Sequence, residues 1–134
     1  MRVRTAAEIV IGVLYAIGAV NQAVYVLSDS REFYVAMAAS AWLRPAQIFI
    51  EEILVPNSVA VTVLVAGLEA ILAIAILSRG AAVRWALVAG GVFSIVGALT
   101  GSPAETVGYG ILAVIHFWLA RARWETFVPS ASDS

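Results

Sequence analysis

Six polar side chains on apolar stretches of the sequence could do chemistry: Glu8, Tyr15, Gln22, Glu69, Tyr109 and His116. Because steps of three or four residues return to the same side of a helix, Glu8, Tyr15 and Gln22 fall on one face, and Tyr109 and His116 fall on another. Polar groups that face lipid are costly. These faces are therefore expected to turn inward and to contact a ligand or each other.

Glu69 is the acidic residue in the middle of its apolar stretch, and no arginine lies at its depth. An isolated charge is expensive in an apolar medium, so we expect this carboxyl to hold a proton and to hydrogen-bond with Tyr15 or Tyr109. Three interpretations stay open. Glu69 fixes helix register as a structural contact, binds a ligand in a cavity, or exchanges a proton during transport.

Glu8 and His116 are both expected near one membrane interface. Three roles stay open for this pair: a structural contact, a proton relay, or the acid and base of an enzyme that acts on a lipid or quinone. A single histidine with scattered carboxylates does not predict a metal site, because such a site usually needs three or four protein ligands. Glu51 and Glu52 are adjacent, so their side chains diverge by about 100° on a helix, and a solvated face explains them. With no cysteine, no histidine pair for haem and no phosphate-binding glycine loop, we expect no cofactor.

The composition requires a membrane environment for these groups. Hydrophobic residues make up 62% of the 134 positions and charged residues 13%, against about 45–50% and about 25% in soluble domains. The net charge is −1 and the arginines form no basic cluster. Nucleic acid is therefore not an expected partner.

The sequence predicts an all-α fold, an up-down-up-down bundle of four membrane spans at about 6–27, 58–78, 81–100 and 104–120. A span needs about 20 mainly apolar residues. The six arginines at positions 2, 4, 79, 84, 121 and 123 fall on one side, and Arg31 and Arg44 on the other. The excess of arginine marks the cytoplasmic side, so both termini are predicted to be cytoplasmic in the cell inner (plasma) membrane. A signal peptide is the alternative for the first span, but its length and Glu8 favour an uncleaved anchor.

Residues 28–57 are predicted to lie outside the cytoplasm as two short amphipathic helices at the interface. Pro45 suits a helix start and Pro56 a stop. A strand at 47–55 is the alternative, but an open sheet edge would leave backbone groups unpaired at the membrane. Residues 1–124 are predicted to form one transmembrane domain, and 125–134 a polar tail.

Small residues repeat along two of the spans. The sets are Ala86, Gly90, Ser94 and Ala98 in the third span, and Gly12, Ala16, Ala19 and Ala23 in the first. Close helix packing in lipid uses such faces. They predict tight packing within the chain, or contact with other membrane subunits or a second copy.

The stretch from Leu68 to Arg84, LEAILAIAILSRGAAVR, resembles the second-helix motif of the DoxX family of small membrane proteins. In that motif a glutamate opens an apolar helix that ends in a short turn with arginine. Glu69 and residues 79–82 carry the resemblance, and the four-span layout agrees with it. The resemblance implies a link to membrane redox complexes and a quinone or another lipophilic ligand near Glu69.

The sequence therefore favours a non-catalytic subunit or partner of a larger membrane complex, with a quinone or lipid site near Glu69. The alternative is a proton-coupled small-molecule transporter in which Glu69 exchanges the proton. A single membrane-buried glutamate is also a feature of the small multidrug exporters, although they carry it in the first helix.

Overall fold

The structure is a computed structural model that describes residues 2–125, so the predicted tail from 126 onward lies outside the described residues. Six α-helices form the described chain, with no strand among these residues. They are α1 (Arg2–Asn21), α2 (Ser30–Ser40), α3 (Arg44–Phe49), α4 (Ser58–Leu77), α5 (Ala82–Thr100) and α6 (Pro103–Glu125). Two π-helical turns, Gln22–Val26 and Ile50–Leu54, continue α1 and α3.

Three helices are long and apolar enough to cross a membrane: Val3–Val26, Ser58–Leu77 and Ala82–Thr100. The all-α class and these three stretches confirm the corresponding predictions. The helix at the predicted fourth span is present as α6, but it is less apolar than the others. Large apolar side chains, Leu64 and Ile74 among them, are exposed on the outside of the helices, as expected for surfaces that contact lipid.

The long helices pack as two antiparallel pairs. Along α1 and α4, Gly12 lies against Leu77 and Gly18 against Glu69. Along α5 and α6, Gly90 lies against His116 and Gly97 against Tyr109. The predicted small-residue faces therefore meet neighbouring helices of the same chain.

Local sequence explains how α6 begins. The backbone N–H of Ser102 donates to the carboxylate of Glu105 at 2.7 Å, and the N–H of Glu105 donates to the Ser102 hydroxyl at 3.4 Å. This reciprocal pair satisfies backbone donors that an α-helix leaves open at its start. Pro103 follows at a position where its missing N–H costs nothing.

Buried residues form two clusters. One lies among the four long helices and includes Ile11, Leu72, Leu87 and Leu119. The other, which we call the cap, lies at the opposite end of the molecule and is formed by residues 34–41 and 50–55. Trp42 donates from Nε1 to the hydroxyl of Thr106 at 2.8 Å, which attaches this cap to α6. Helices at 44–54 also exclude the strand alternative for this segment.

Candidate functional site

Tyr15 and His116 form a buried contact between α1 and α6. The Tyr15 hydroxyl lies 2.8 Å from Nε2 of His116. Tyr15 is 8% exposed and His116 is 1% exposed. The inward direction that spacing predicted for these two side chains is confirmed.

The second nitrogen of His116 determines the direction of this hydrogen bond. Nδ1 lies 2.6 Å from the backbone carbonyl oxygen of Leu112. A carbonyl only accepts, so Nδ1 carries the hydrogen, and in the neutral ring Nε2 is an acceptor. Tyr15 is therefore the donor, and the Tyr15 hydroxyl, the imidazole and the Leu112 carbonyl form one continuous hydrogen-bonded chain.

Gly90 provides the space for this contact. A β-carbon at position 90 would lie 2.6 Å from the Tyr15 hydroxyl oxygen and 2.7 Å from Nε2 of His116. One turn further along α5, the Ser94 hydroxyl donates to the Gly90 carbonyl at 2.9 Å. Position 90 therefore requires glycine for reasons of space.

Glu8 binds Arg123 with both carboxylate oxygens. Nε of Arg123 donates to Oε1 at 2.8 Å, and a terminal guanidinium nitrogen donates to Oε2 at 2.5 Å. The sequence suggested Glu8 and His116 as partners, but each has a different one in the structure. Arg123 was missed because arginines near the span ends were used only to assign topology.

The contacts of α1 with α6 follow one antiparallel register. Glu8 and Tyr15 are seven residues apart on α1, and their partners Arg123 and His116 are seven residues apart on α6. Seven residues make about two turns, so both contacts lie on one seam, about 10 Å apart. This equal spacing is the sequence signal that could have identified Arg123.

Glu69 lies against the backbone of α1. A β-carbon on Gly18 would be 2.8 Å from Oε2 of Glu69 and 2.9 Å from Oε1. Oε2 is buried and has no hydrogen-bond partner within residues 2–125. The predicted hydrogen bond from Glu69 to Tyr15 or Tyr109 is not formed in this range, and the Tyr15 hydroxyl donates to His116 instead.

Gln22 presents a second unsatisfied acceptor, at the start of the π-helical turn. Leu27 N–H donates to the Gln22 backbone carbonyl at 2.9 Å, which is the wider π-helical pattern. The side-chain oxygen Oε1 of Gln22 is buried without a partner in the described part of the chain. Such turns occur often at functional sites.

Tyr109 completes the set of predicted residues. Its ring lies on Gly97 of α5, where a β-carbon would be 3.0 Å from the ring.

Five of the six residues divide into two groups. Glu8, Tyr15 and His116 have partners, whereas Glu69 and Gln22 carry buried acceptors that have none among residues 2–125. The sixth, Tyr109, packs its ring on Gly97. In the same range no three histidine, aspartate or glutamate side chains come together in a way that could hold a metal ion.

Comparisons with protein-family models, with curated proteins and with solved structures give no match. The similarity to DoxX proteins therefore stays a prediction from the residues around Glu69.

Proposed function

We propose that the chain is a DoxX-like four-helix protein of the inner (plasma) membrane that binds a lipophilic molecule near Glu69. In this proposal it serves as a non-catalytic subunit or partner of a larger membrane complex, which the resemblance links to redox chemistry and quinones. The observation that carries the ligand site is a pair of buried acceptors that have no partner among residues 2–125, Oε2 of Glu69 and Oε1 of Gln22.

An unsatisfied buried acceptor costs about 1–3 kcal/mol. Two such atoms, one in the π-helical turn after α1 and one on α4, therefore lower the stability of the ligand-free protein considerably. A bound molecule that supplies hydrogen-bond donors would offset it. Because the surrounding helices are apolar on their outer faces, a ligand that reaches this depth must itself have an apolar body.

The membrane arrangement in the proposal has α1, α4, α5 and α6 as alternating spans, with α2 and α3 on the outer side and both termini in the cytoplasm. The apolar stripe Val107, Ile111, Val114 and Trp118 supports α6 as the fourth span, since each side chain is at least half exposed. Arg84 lies over the rings of Trp85 and Trp124, a pairing suited to a membrane interface.

Topology is tested with single cysteines at Ser40 and Ser132 in the cysteine-free chain, labelled by an impermeant maleimide in intact cells. The proposal expects labelling at position 40 only. Labelling at both positions would place the C-terminus outside and remove α6 as a span.

The ligand is tested by extracting the purified full-length protein with organic solvent and identifying retained lipophiles by mass spectrometry. We expect one species enriched over the bulk membrane in wild type and in Gly108→Ala, where a β-carbon meets open space. Gly18→Ala, which intrudes on the Glu69 carboxyl, should lose it. Equal extracts from all three proteins would overturn the proposed ligand site.

The subunit role is tested by purification from native membrane in mild detergent. Recovery with a second protein in constant ratio supports it, whereas a lone monomer argues against it.

Proton-coupled transport is the second candidate, favoured by the absence of a cationic partner for Oε2 of Glu69 among the described residues. Its test is substrate flux into liposomes under an imposed pH gradient. Equal flux with wild type and with Glu69→Gln would remove this candidate.

A further inference from the structure

The contacts between α1 and α6 form a ladder in which two rungs are seven residues apart on both helices. The first rung is Glu8 with Arg123, and the second is Tyr15 with His116. A further step of seven residues on both helices reaches Gln22 and Tyr109. The π-helical turn begins at Gln22, so α1 keeps its α-helical register up to this residue. A step of seven residues rotates a side chain by only about 20° around the helix axis, so Gln22 stays near the face that carries Glu8 and Tyr15.

The side chains of this third rung do not bond to each other. Oε1 of Gln22 is buried without a partner, and the Tyr109 hydroxyl makes no hydrogen bond in the part of the chain that the structure describes. Glu69 reaches the same region, because its carboxyl lies on Gly18, one turn before Gln22. Its Oε2 is also a buried acceptor that has no partner among the residues that the structure describes.

The types of these groups restrict what can bridge them. The amide oxygen of Gln22 only accepts, and the Tyr109 hydroxyl can donate or accept. A ligand carbonyl cannot satisfy Gln22, because it brings no donor. An ammonium group can donate to Gln22, Glu69 and the Tyr109 oxygen, but it cannot accept the hydrogen of the Tyr109 hydroxyl. A ligand hydroxyl can accept that hydrogen, and it donates its own hydrogen to one of the two acceptors, Gln22 or Glu69.

We infer that the third rung is closed by the hydroxyl group of a lipophilic molecule, which donates to Gln22 or Glu69 and accepts from Tyr109. This inference rests on the proposed lipophile site and names the ligand chemistry at that site. A long-chain alcohol, a prenyl alcohol, a sterol or a hydroquinone carries this group. The shared requirement is a terminal hydroxyl on an apolar body.

The test compares three probes of one carbon skeleton, farnesol, farnesyl methyl ether and farnesylamine, on the purified full-length protein in detergent. Titrating each probe against the thermal unfolding midpoint gives its dissociation constant. We expect farnesol to bind at least tenfold more tightly than the ether, which corresponds to about 1.4 kcal/mol. If the amine binds more tightly than farnesol, or if the ether binds equally well, the inference that a ligand hydroxyl closes the third rung is wrong. The proposed lipophile site would still be supported. Binding of none of the probes overturns the inference, and the solvent extraction above then decides separately whether the proposed function stands.

Matched variants locate the binding site. Gln22→Leu and Tyr109→Phe should each weaken farnesol binding at least tenfold, whereas Gly108→Ala should bind as wild type does. Tyr109→Phe keeps the ring that packs on Gly97, so it serves where Gln22→Leu disturbs folding. Wild-type affinity in Tyr109→Phe would show that farnesol binds elsewhere and would overturn the inference.

Discussion

The Tyr15 hydroxyl donates to Nε2 of His116 at 2.8 Å, and so joins the first and last helices of the described chain across 101 positions of sequence. The ion pair of Glu8 with Arg123 repeats this connection two turns away. The seam between α1 and α6 is thus specified by polar side chains, whereas glycine-mediated contacts bring α5 against α6 and α1 against α4.

Tyr15→Phe should lower the free energy of unfolding by about 0.6 kcal/mol and by no more than about 1.7 kcal/mol, the average and the maximum found for hydrogen bonds between membrane helices. The variant removes the donor and leaves Nε2 of His116 buried. Unfolding in mixed micelles of dodecyl maltoside and dodecyl sulfate measures it. In a double-mutant cycle with His116→Leu, a coupling energy near zero would contradict a stabilising contact.

Gly90→Ala should be more destabilising than Tyr15→Phe, because its β-carbon would lie 2.6 Å from the Tyr15 oxygen and 2.7 Å from the His116 ring. Both side chains must move from a buried contact, at a cost of about 1–3 kcal/mol. The matched control is Gly108→Ala on α6, where nothing lies within 4 Å of an added β-carbon. Equal unfolding midpoints for the two alanine variants would contradict the packing at Gly90.

Much of the fold could be predicted because a membrane span requires a long run of apolar residues, which is visible in the sequence. Runs of about 20 apolar residues located the helices at 58–77 and 82–100 to within a residue. Helical periodicity likewise found the short helices before Pro56. The inward direction of Tyr15 and His116 followed from the cost of exposing them to lipid.

The pairing of side chains could not be predicted in the same way. Depth placed Glu8 beside His116, but a shared depth does not determine which helices are neighbours or how they are rotated. The π-helical turn at Gln22 also left no sequence signal that periodicity would detect. That Oε1 of Gln22 is buried without a partner among the described residues follows only from the positions of the surrounding helices.

Glu69→Leu separates a structural role for this carboxyl from a binding role. Replacing an unsatisfied buried acceptor with an apolar group of similar size removes a desolvation cost. We therefore expect the ligand-free variant to be more stable by about 1 kcal/mol, with loss of the retained lipophile. A large loss of stability would instead show that Glu69 fixes helix register.

Burial raises the pKa of Tyr34 above its ordinary value near 10, since the cap surrounds its ring and the charged form would be poorly solvated. The stability that this shift contributes is complete below about pH 10, where the phenol is neutral in both states. It is lost as the pH rises from there through the folded-state pKa. Unfolding free energies measured from about pH 9 upward should fall less steeply in Tyr34→Phe than in wild type. Parallel curves would contradict the prediction.

Arg123→Ala should cost about 2 kcal/mol, between the values typical of exposed and of buried ion pairs. The Arg123 side chain is 33% exposed, but Glu8 is only 5% exposed and would remain buried without the guanidinium. Arg123→Lys should lose about half as much, because an ammonium keeps the charge but cannot form the two-point contact that the guanidinium makes. Arg31→Ala, which removes an exposed arginine of α2, is the control and should be within about 0.5 kcal/mol of wild type. Since the ion pair and the Tyr15 contact lie on one seam, Arg123→Ala should also speed hydrogen exchange at the N-terminal end of α1. Unchanged exchange there, together with wild-type stability, would show that Glu8 and Arg123 do not hold α1 to α6.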